Sequence, residues 1–137
     1  MRKVGRKRVL VVEDDANVAR LLEILLGDLD VDVELATDGK SAIAAAAARP
    51  PDLILADVQL PDMTGLEAVR AIKDHRPTPV IPVVVLTGHA NPENIKEAVD
   101  LGVVDFLTKP SSISARGMER LRPFLEDEPK KKKRDGR

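Results

Sequence analysis

Short, almost wholly apolar runs recur along this chain, and four of them stop at polar residues suited to phosphate chemistry. Val9-Leu10-Val11-Val12 runs into Glu13-Asp14, and Leu53-Ile54-Leu55-Ala56 runs into Asp57. Ile81 to Leu86 runs into Thr87, and Val103 to Leu107 runs into Thr108-Lys109-Pro110. Runs of this length that are apolar on both faces suit a parallel sheet covered by helices on each side. Pro82 fits the opening of its strand, where a missing N–H is tolerated.

The segments between the runs have helical period. Asn17 to Leu29 puts Val18, Leu21, Leu22, Leu25 and Leu29 at helical spacing, with Asp15 as N-cap and Gly27 near a fraying end. Val31, Val33 and Leu35 alternate with Asp32 and Glu34, the pattern of a strand near a sheet edge. Asp38-Gly39 marks a turn, and Ser41 to Arg49 is an Ala-rich helix stopped by Pro50-Pro51. Leu66 to Lys73 is a short helix after the loop Pro61 to Gly65, and Pro77 and Pro79 occupy the next connection. Pro92 suits the first turn of a helix reaching Leu101, and Gly102 the left-handed position after it. Ser111 to Glu126 is a last helix interrupted by Gly117 and Pro123, so it is expected to be short, shifted or kinked. Five strands alternating strictly with five helices predict an α/β fold, a doubly wound five-stranded parallel sheet.

Composition narrows the function. Cysteine is absent, which excludes a disulfide framework and a thiolate metal site. Two aromatics, Phe106 and Phe124, do not make a base-stacking platform. The net charge of -1 conceals a segregation: 11 of the 22 Lys and Arg lie at positions 2–8 and 130–137, and 22 of the 23 acids lie between 9 and 129. An acidic body argues against nucleic-acid binding by the domain itself. No apolar run approaches the roughly 20 residues of a membrane span, and the first run is too short for a signal peptide. The expected setting is the cytoplasm, with no membrane partner. The expected boundaries are a basic N-terminal tail at 1–7, one domain at 8–127 and a basic tail or linker start at 128–137.

In an open parallel sheet, ligands bind beyond the carboxyl ends of the strands. Glu13, Asp14, Asp57, Thr87 and Lys109 would converge there. Singly, each has an ordinary reading: acids at a helix start, a polar strand stop, a turn-capping Thr, a surface Lys. Their shared position is what points to chemistry. Packed carboxylates repel one another and raise each other's pKa, and a hard cation relieves that. Mg²⁺, with Mn²⁺ as an alternative, binds through one or two carboxylates plus phosphate oxygens, here Asp14, Asp57 and an incoming phosphoryl group. The Asp57 carboxylate can then attack phosphorus and form an acyl phosphate. Lys109 supplies a second positive charge, and the Thr87 hydroxyl a hydrogen bond to a phosphoryl oxygen.

This constellation resembles the receiver domain of two-component response regulators. The resemblance covers roughly Lys7 to Leu125 and rests on 9–15 (VLVVEDD), 53–65 (LILADVQLPDMTG), 83–88 (VVVLTG) and 105–110 (DFLTKP). It implies a flavodoxin/CheY-like (βα)5 fold with strand order 2-1-3-4-5. It puts the family's acidic pair on Glu13 and Asp14, with Glu13 acting through water, and the phosphoacceptor on Asp57. It puts a third metal ligand on the Gln59 backbone carbonyl, the switch hydroxyl on Thr87, the family's lysine on Lys109 and the switch aromatic on Phe106. It implies a cis peptide between Lys109 and Pro110, and tuning of dephosphorylation by Gln59 and His89, two residues past Asp57 and Thr87. The implied partners are a histidine kinase or histidine phosphotransfer protein and a downstream protein target, and a homodimer is compatible. Such a domain is not an enzyme: it catalyses only its own phosphorylation and dephosphorylation.

The chain departs from the family after Lys109-Pro110, where Ser111-Ser112 replaces an apolar residue and the interrupted last helix puts the usual dimer contact in doubt. Nothing resembling an effector domain follows, so both a stand-alone receiver and a piece of a longer protein remain open. Three rival readings are weaker. A Mg²⁺-dependent phosphohydrolase with an Asp nucleophile needs a second acid where Gln59 stands. A flavodoxin-like cofactor binder needs a Ser-, Thr- and Gly-rich loop where Glu13-Asp14-Asp15 stands. A receiver-like interaction module that is never phosphorylated has no need of the full set of site residues.

Overall fold

The structure is a computed structural model that describes residues 6–75, 81–88 and 92–126. The run ending at Asp57 becomes β3 (Leu53–Asp57), the middle strand of a five-stranded sheet, with all its residues buried. β1 (Arg8–Val12) and β4 (Val83–Thr87) flank it and are equally buried. The runs that carry charge go to the edges as β2 (Asp32–Ala36) and β5 (Asp105–Thr108). The order is β2-β1-β3-β4-β5 and every pairing is parallel. This is the doubly wound order predicted above.

α1 (Ala16–Gly27), α2 (Gly39–Ala48), α3 (Gly65–His75) and α4 (Pro92–Asp100) follow the first four strands in turn. α1 is capped by Asp15, whose carboxylate accepts from the Asn17 and Val18 amides. α2 starts with a capping box between Asp38 and Ser41. Gly102 takes φ of 80° just past α4, the left-handed conformation that glycine adopts at little cost.

Side chains alternate across the sheet to make two apolar layers. Leu10, Val12, Ile54, Ala56, Val83 and Val85 meet α2, α3 and α4 through residues such as Ala42, Ala46, Leu66, Val69, Ile72 and Ala98. Val9, Val11, Leu53, Leu55, Val84, Leu86 and Leu107 meet α1 and the last helices through Leu22, Leu26, Met118, Leu121 and Leu125. The Ala-rich stretch is thus a small-residue packing face.

The last helix is two short pieces, α5 (Ala115–Glu119) and α6 (Arg122–Leu125). Pro123 lies in the first turn of α6, so it brings no N–H to continue α5. Gly117 is required where it stands, because a Cβ there would lie 1.9 Å from the Ser112 carbonyl oxygen. Residues 111–114, expected in this helix, lie ahead of it: Ser111 and Ser112 form a turn and Ser114 caps α5. β5 begins at Asp105, not Val103, because the Val103 amide turns back to the Ala98 carbonyl. Leu29 lies beyond α1, and Leu35 is 41% exposed on the edge strand.

Register sets up the functional end. Val12 pairs with Ala56, Asp57 with Leu86, and Thr87 with Thr108. The residues that end or follow these strands therefore emerge together.

Candidate functional site

The carboxyl end of the sheet holds a group of acids around one ammonium. Carboxylate oxygens of Glu13, Asp14 and Asp57 lie within 4.8 Å of one another. Lys109 Nζ donates to Glu13 Oε1 and to Asp57 Oδ2, each at 3.0 Å. Glu13 is 1% exposed, Asp57 7% and Thr87 4%, whereas Asp14 faces solvent. Asp15 is taken up by capping α1, so the cluster is the pair 13–14 with Asp57.

Electrostatics at this site are unbalanced. Burial pushes the Glu13 carboxyl above its ordinary value, against the lowering effect of the Asp15 amide and Lys109. Burial pulls the Lys109 ammonium down, but its hydrogen bonds to Glu13 and Asp57 and their charges outweigh this and hold it above its ordinary value. Three carboxylates face one ammonium. The donor set is all oxygen, in excess negative charge, with Asp14 open to solvent on one side. Those properties fit a hard, partly hydrated divalent cation.

The backbone fixes the rest. Gln59 N lies 3.3 Å from Asp57 Oδ1, and Gln59 bridges to Thr64 across the loop. Gly65 N donates to the Val58 carbonyl at 2.6 Å, and a Cβ on Gly65 would lie 1.8 Å from the Asp57 carbonyl oxygen. Only glycine lets the loop close this tightly behind Asp57. Lys109 N donates to the Thr87 carbonyl at 2.9 Å, and the Lys109–Pro110 peptide is cis.

Thr87 ends β4, and Phe106 pairs in register with Val85 two residues earlier. Thr87 and Phe106 therefore lie on the same face of the sheet. Phe106 is partly buried against the layer beneath α2, α3 and α4. His89 lies outside the described residues.

Some contributors carried no sequence signal. Asp62 accepts from the amides of Gly39 at 2.8 Å and Lys40 at 3.0 Å. Arg120 donates to both carboxylate oxygens of Asp105, at 3.1 and 2.6 Å, and to the Phe106 carbonyl at 3.2 Å. Both are long-range contacts between ordinary surface residue types, and only Gly65, a glycine at a loop's end, hinted at a close approach.

Comparison with known proteins agrees with this fold. The response regulator receiver domain family matches residues 9–120. The regulatory protein LuxO of Vibrio cholerae is 42% identical over 100 residues, 73% of this chain and 22% of LuxO. The response regulator ArlR of Staphylococcus saprophyticus is 34% identical over 124 residues, 90% of this chain and 54% of ArlR. The chain thus spans about a fifth to a half of these relatives' length. Among solved structures, the Vibrio cholerae chemotaxis protein CheY4 superposes with a TM-score of 0.79 at 29% identity, over 88% of this chain and 99% of that one. A CheY-like receiver domain protein from Methanospirillum hungatei gives a TM-score of 0.80 at 27% identity, over 88% and 94%.

Proposed function

The chain belongs to the response regulator receiver domain family, and on that premise we propose that it accepts a phosphoryl group on Asp57 from the phosphohistidine of a histidine kinase or histidine phosphotransfer protein. An Asp57 carboxylate oxygen attacks phosphorus, the P–N bond breaks with its electrons on the imidazole, and an acyl phosphate forms. Hydrolysis reverses the state: water attacks phosphorus, inorganic phosphate leaves and the carboxylate returns.

Asp14, Asp57 and the Gln59 carbonyl would hold Mg²⁺ or Mn²⁺, with Glu13 reaching it through water. Bound there, the ion supplies positive charge that offsets the carboxylates and the incoming phosphoryl oxygens. Lys109 holds Asp57 in place and moves its charge onto the phosphoryl oxygens as they arrive. The Thr87 hydroxyl donates to one of those oxygens. Its shift toward the phosphoryl group leaves room for the Phe106 ring to turn inward on the same face, which biases a two-state equilibrium. Gln59 and His89 flank the phosphoryl group and tune its lifetime. The output is a changed protein contact with a downstream target, in the cytoplasm, and the chain turns over no substrate but its own phosphoryl group.

The observation that carries this reading is the Lys109 ammonium, 3.0 Å from both Glu13 and Asp57 inside a three-acid cluster. Incubation with Mg²⁺ and acetyl phosphate tests it. Intact mass should rise by one phosphoryl group in the wild type and stay unchanged in Asp57→Asn. An unmodified wild type under saturating donor sinks the reading in favour of an interaction module that works without phosphorylation.

A further inference from the structure

The loop between β3 and α3 is pinned at both base and tip. At its base, Gly65 N donates to Val58 and Gln59 bridges to Thr64. At its tip, the Asp62 carboxylate accepts from the Gly39 and Lys40 amides in the first turn of α2. The neighbouring Met63 fills the space a side chain at Gly39 would need, since a Cβ there would lie 2.3 Å from Met63 Cγ. α2 in turn follows closely on Ala36, whose carbonyl accepts from Glu13 N at 3.0 Å. Asp62 therefore joins the loop that carries Gln59 to the segment that steadies Glu13.

We propose that Asp62 is a positioning residue for metal binding: its hydrogen bonds from Gly39 and Lys40 hold the 58–64 loop in the form that lets the Gln59 carbonyl serve beside Asp14 and Asp57. This rests on the metal site proposed above. A carboxylate at a helix N-terminus is favoured by the free amides and the helix dipole, so α2 acts as a fixed anchor. A free loop samples many orientations of its carbonyls, and fixing it before the ion arrives removes that entropy from the binding step.

The test is Mn²⁺ titration of the full chain, with free ion read by electron paramagnetic resonance, beside metal-free thermal unfolding. The variants are Asp14→Asn, Asp62→Ala, Lys40→Pro and the Asp62→Ala/Lys40→Pro double. Lys40→Pro deletes the other end of one bond while keeping the helix, because proline is tolerated in a first turn and Gly39 before it has no Cβ to clash. Asp62→Ala should weaken Mn²⁺ about tenfold, the low end for groups that orient metal ligands. Lys40→Pro should weaken it less, and the double should be no weaker than Asp62→Ala, since both changes remove one interaction. Unchanged affinity in both single variants, or affinity losses that simply add, overturns the proposal, even if unfolding temperatures fall. A wild type that binds no Mn²⁺ overturns the metal site as well. Binding lost in Asp14→Asn but intact in Asp62→Ala and Lys40→Pro overturns the role of Asp62 alone.

Discussion

The two ends of the sheet bury charge in opposite ways. At the amino end, Arg6 donates to Asp32 at 2.7 Å and to Asp30 at 2.9 Å. Arg8, 7% exposed, pairs with Glu34 and donates to the carbonyls of Arg49 at 2.8 Å and Pro50 at 3.4 Å. Its amide donates to the Asp52 carboxylate at 2.9 Å. A cavity of about 690 Å³ opens here, but Arg6, Asp32, Arg8 and Glu34 in its walls are paired with one another. At the carboxyl end, Glu13 and Asp57 share one ammonium and Asp14 lies beside them in the same acid cluster. Buried charge alone therefore does not mark the functional end. At the amino end the acids that meet Arg6 and Arg8 keep access to water and tie β1, β2 and the end of α2 together, while at the other end Glu13 and Asp57 are buried with one ammonium between them and leave a demand for a cation.

The largest expected effect breaks that contrast at the carboxyl end. Asp14→Asn removes one carboxylate of the proposed metal site and one negative charge. Mg²⁺ affinity, measured by calorimetry, should fall more than about a hundredfold, beyond what second-layer groups deliver. Metal-free stability should hold or rise by up to about 1 kcal/mol, because like charges are relieved. A clear loss of metal-free stability would mean that Asp14 is structural, and the contrast would fail.

Arg8→Met is the matching change at the amino end. Methionine keeps the apolar stem but leaves the Arg49 and Pro50 carbonyls without this donor and Glu34 without its cation. Glu34 is 42% exposed and rehydrates, so most of the cost lies with the carbonyls. Urea denaturation should show a loss of about 2 kcal/mol, with Mg²⁺ affinity and phosphorylation unchanged. Altered Mg²⁺ affinity in this variant would show that the two ends are coupled.

How much of this was legible in the sequence follows from what each feature depends on. The strands were legible because burial on both faces demands uninterrupted apolar residues, as at Leu53 to Ala56. The site followed from topology: once parallel strands are granted, Glu13, Asp14, Asp57, Thr87 and Lys109 must emerge at one end. The break between α5 and α6 was legible through Pro123, whose backbone chemistry is local, whereas Gly117, expected to interrupt the helix, lies inside α5. The start of β5 was not, since Val103 suits a strand and only its hydrogen bond to the Ala98 carbonyl turns it aside, while the Val104 amide already donates to Val83 on β4. The Asp62 anchor was hidden for a different reason. It joins a carboxylate to backbone amides more than 20 residues earlier, and every residue offers such amides.

The smallest expected effect sharpens the contrast through pH. Glu13 is 1% exposed, and burial raises its pKa above the ordinary 4.5, with the Asp57 charge adding to the rise. A carboxyl with a raised folded pKa binds more protons folded than unfolded as pH climbs from 4.5 to that folded value. Stability therefore falls as pH rises through this window. Lys109 works in a different range: its pKa is held above 10.5, so its contribution is present below 10.5 and is lost as pH rises through the folded value. Around neutral pH, Lys109 thus stabilises the fold and ionised Glu13 costs it. Glu13→Gln removes the Glu13 titration. In metal-free buffer, the stability of the wild type relative to Glu13→Gln should decline between pH 4.5 and neutrality. The Arg8→Met variant should follow the wild type across the same range. Saturating Mg²⁺ should narrow the decline, because a bound cation favours the ionised carboxylates. A difference that stays constant with pH, with and without Mg²⁺, would show that the charge at this end is already balanced.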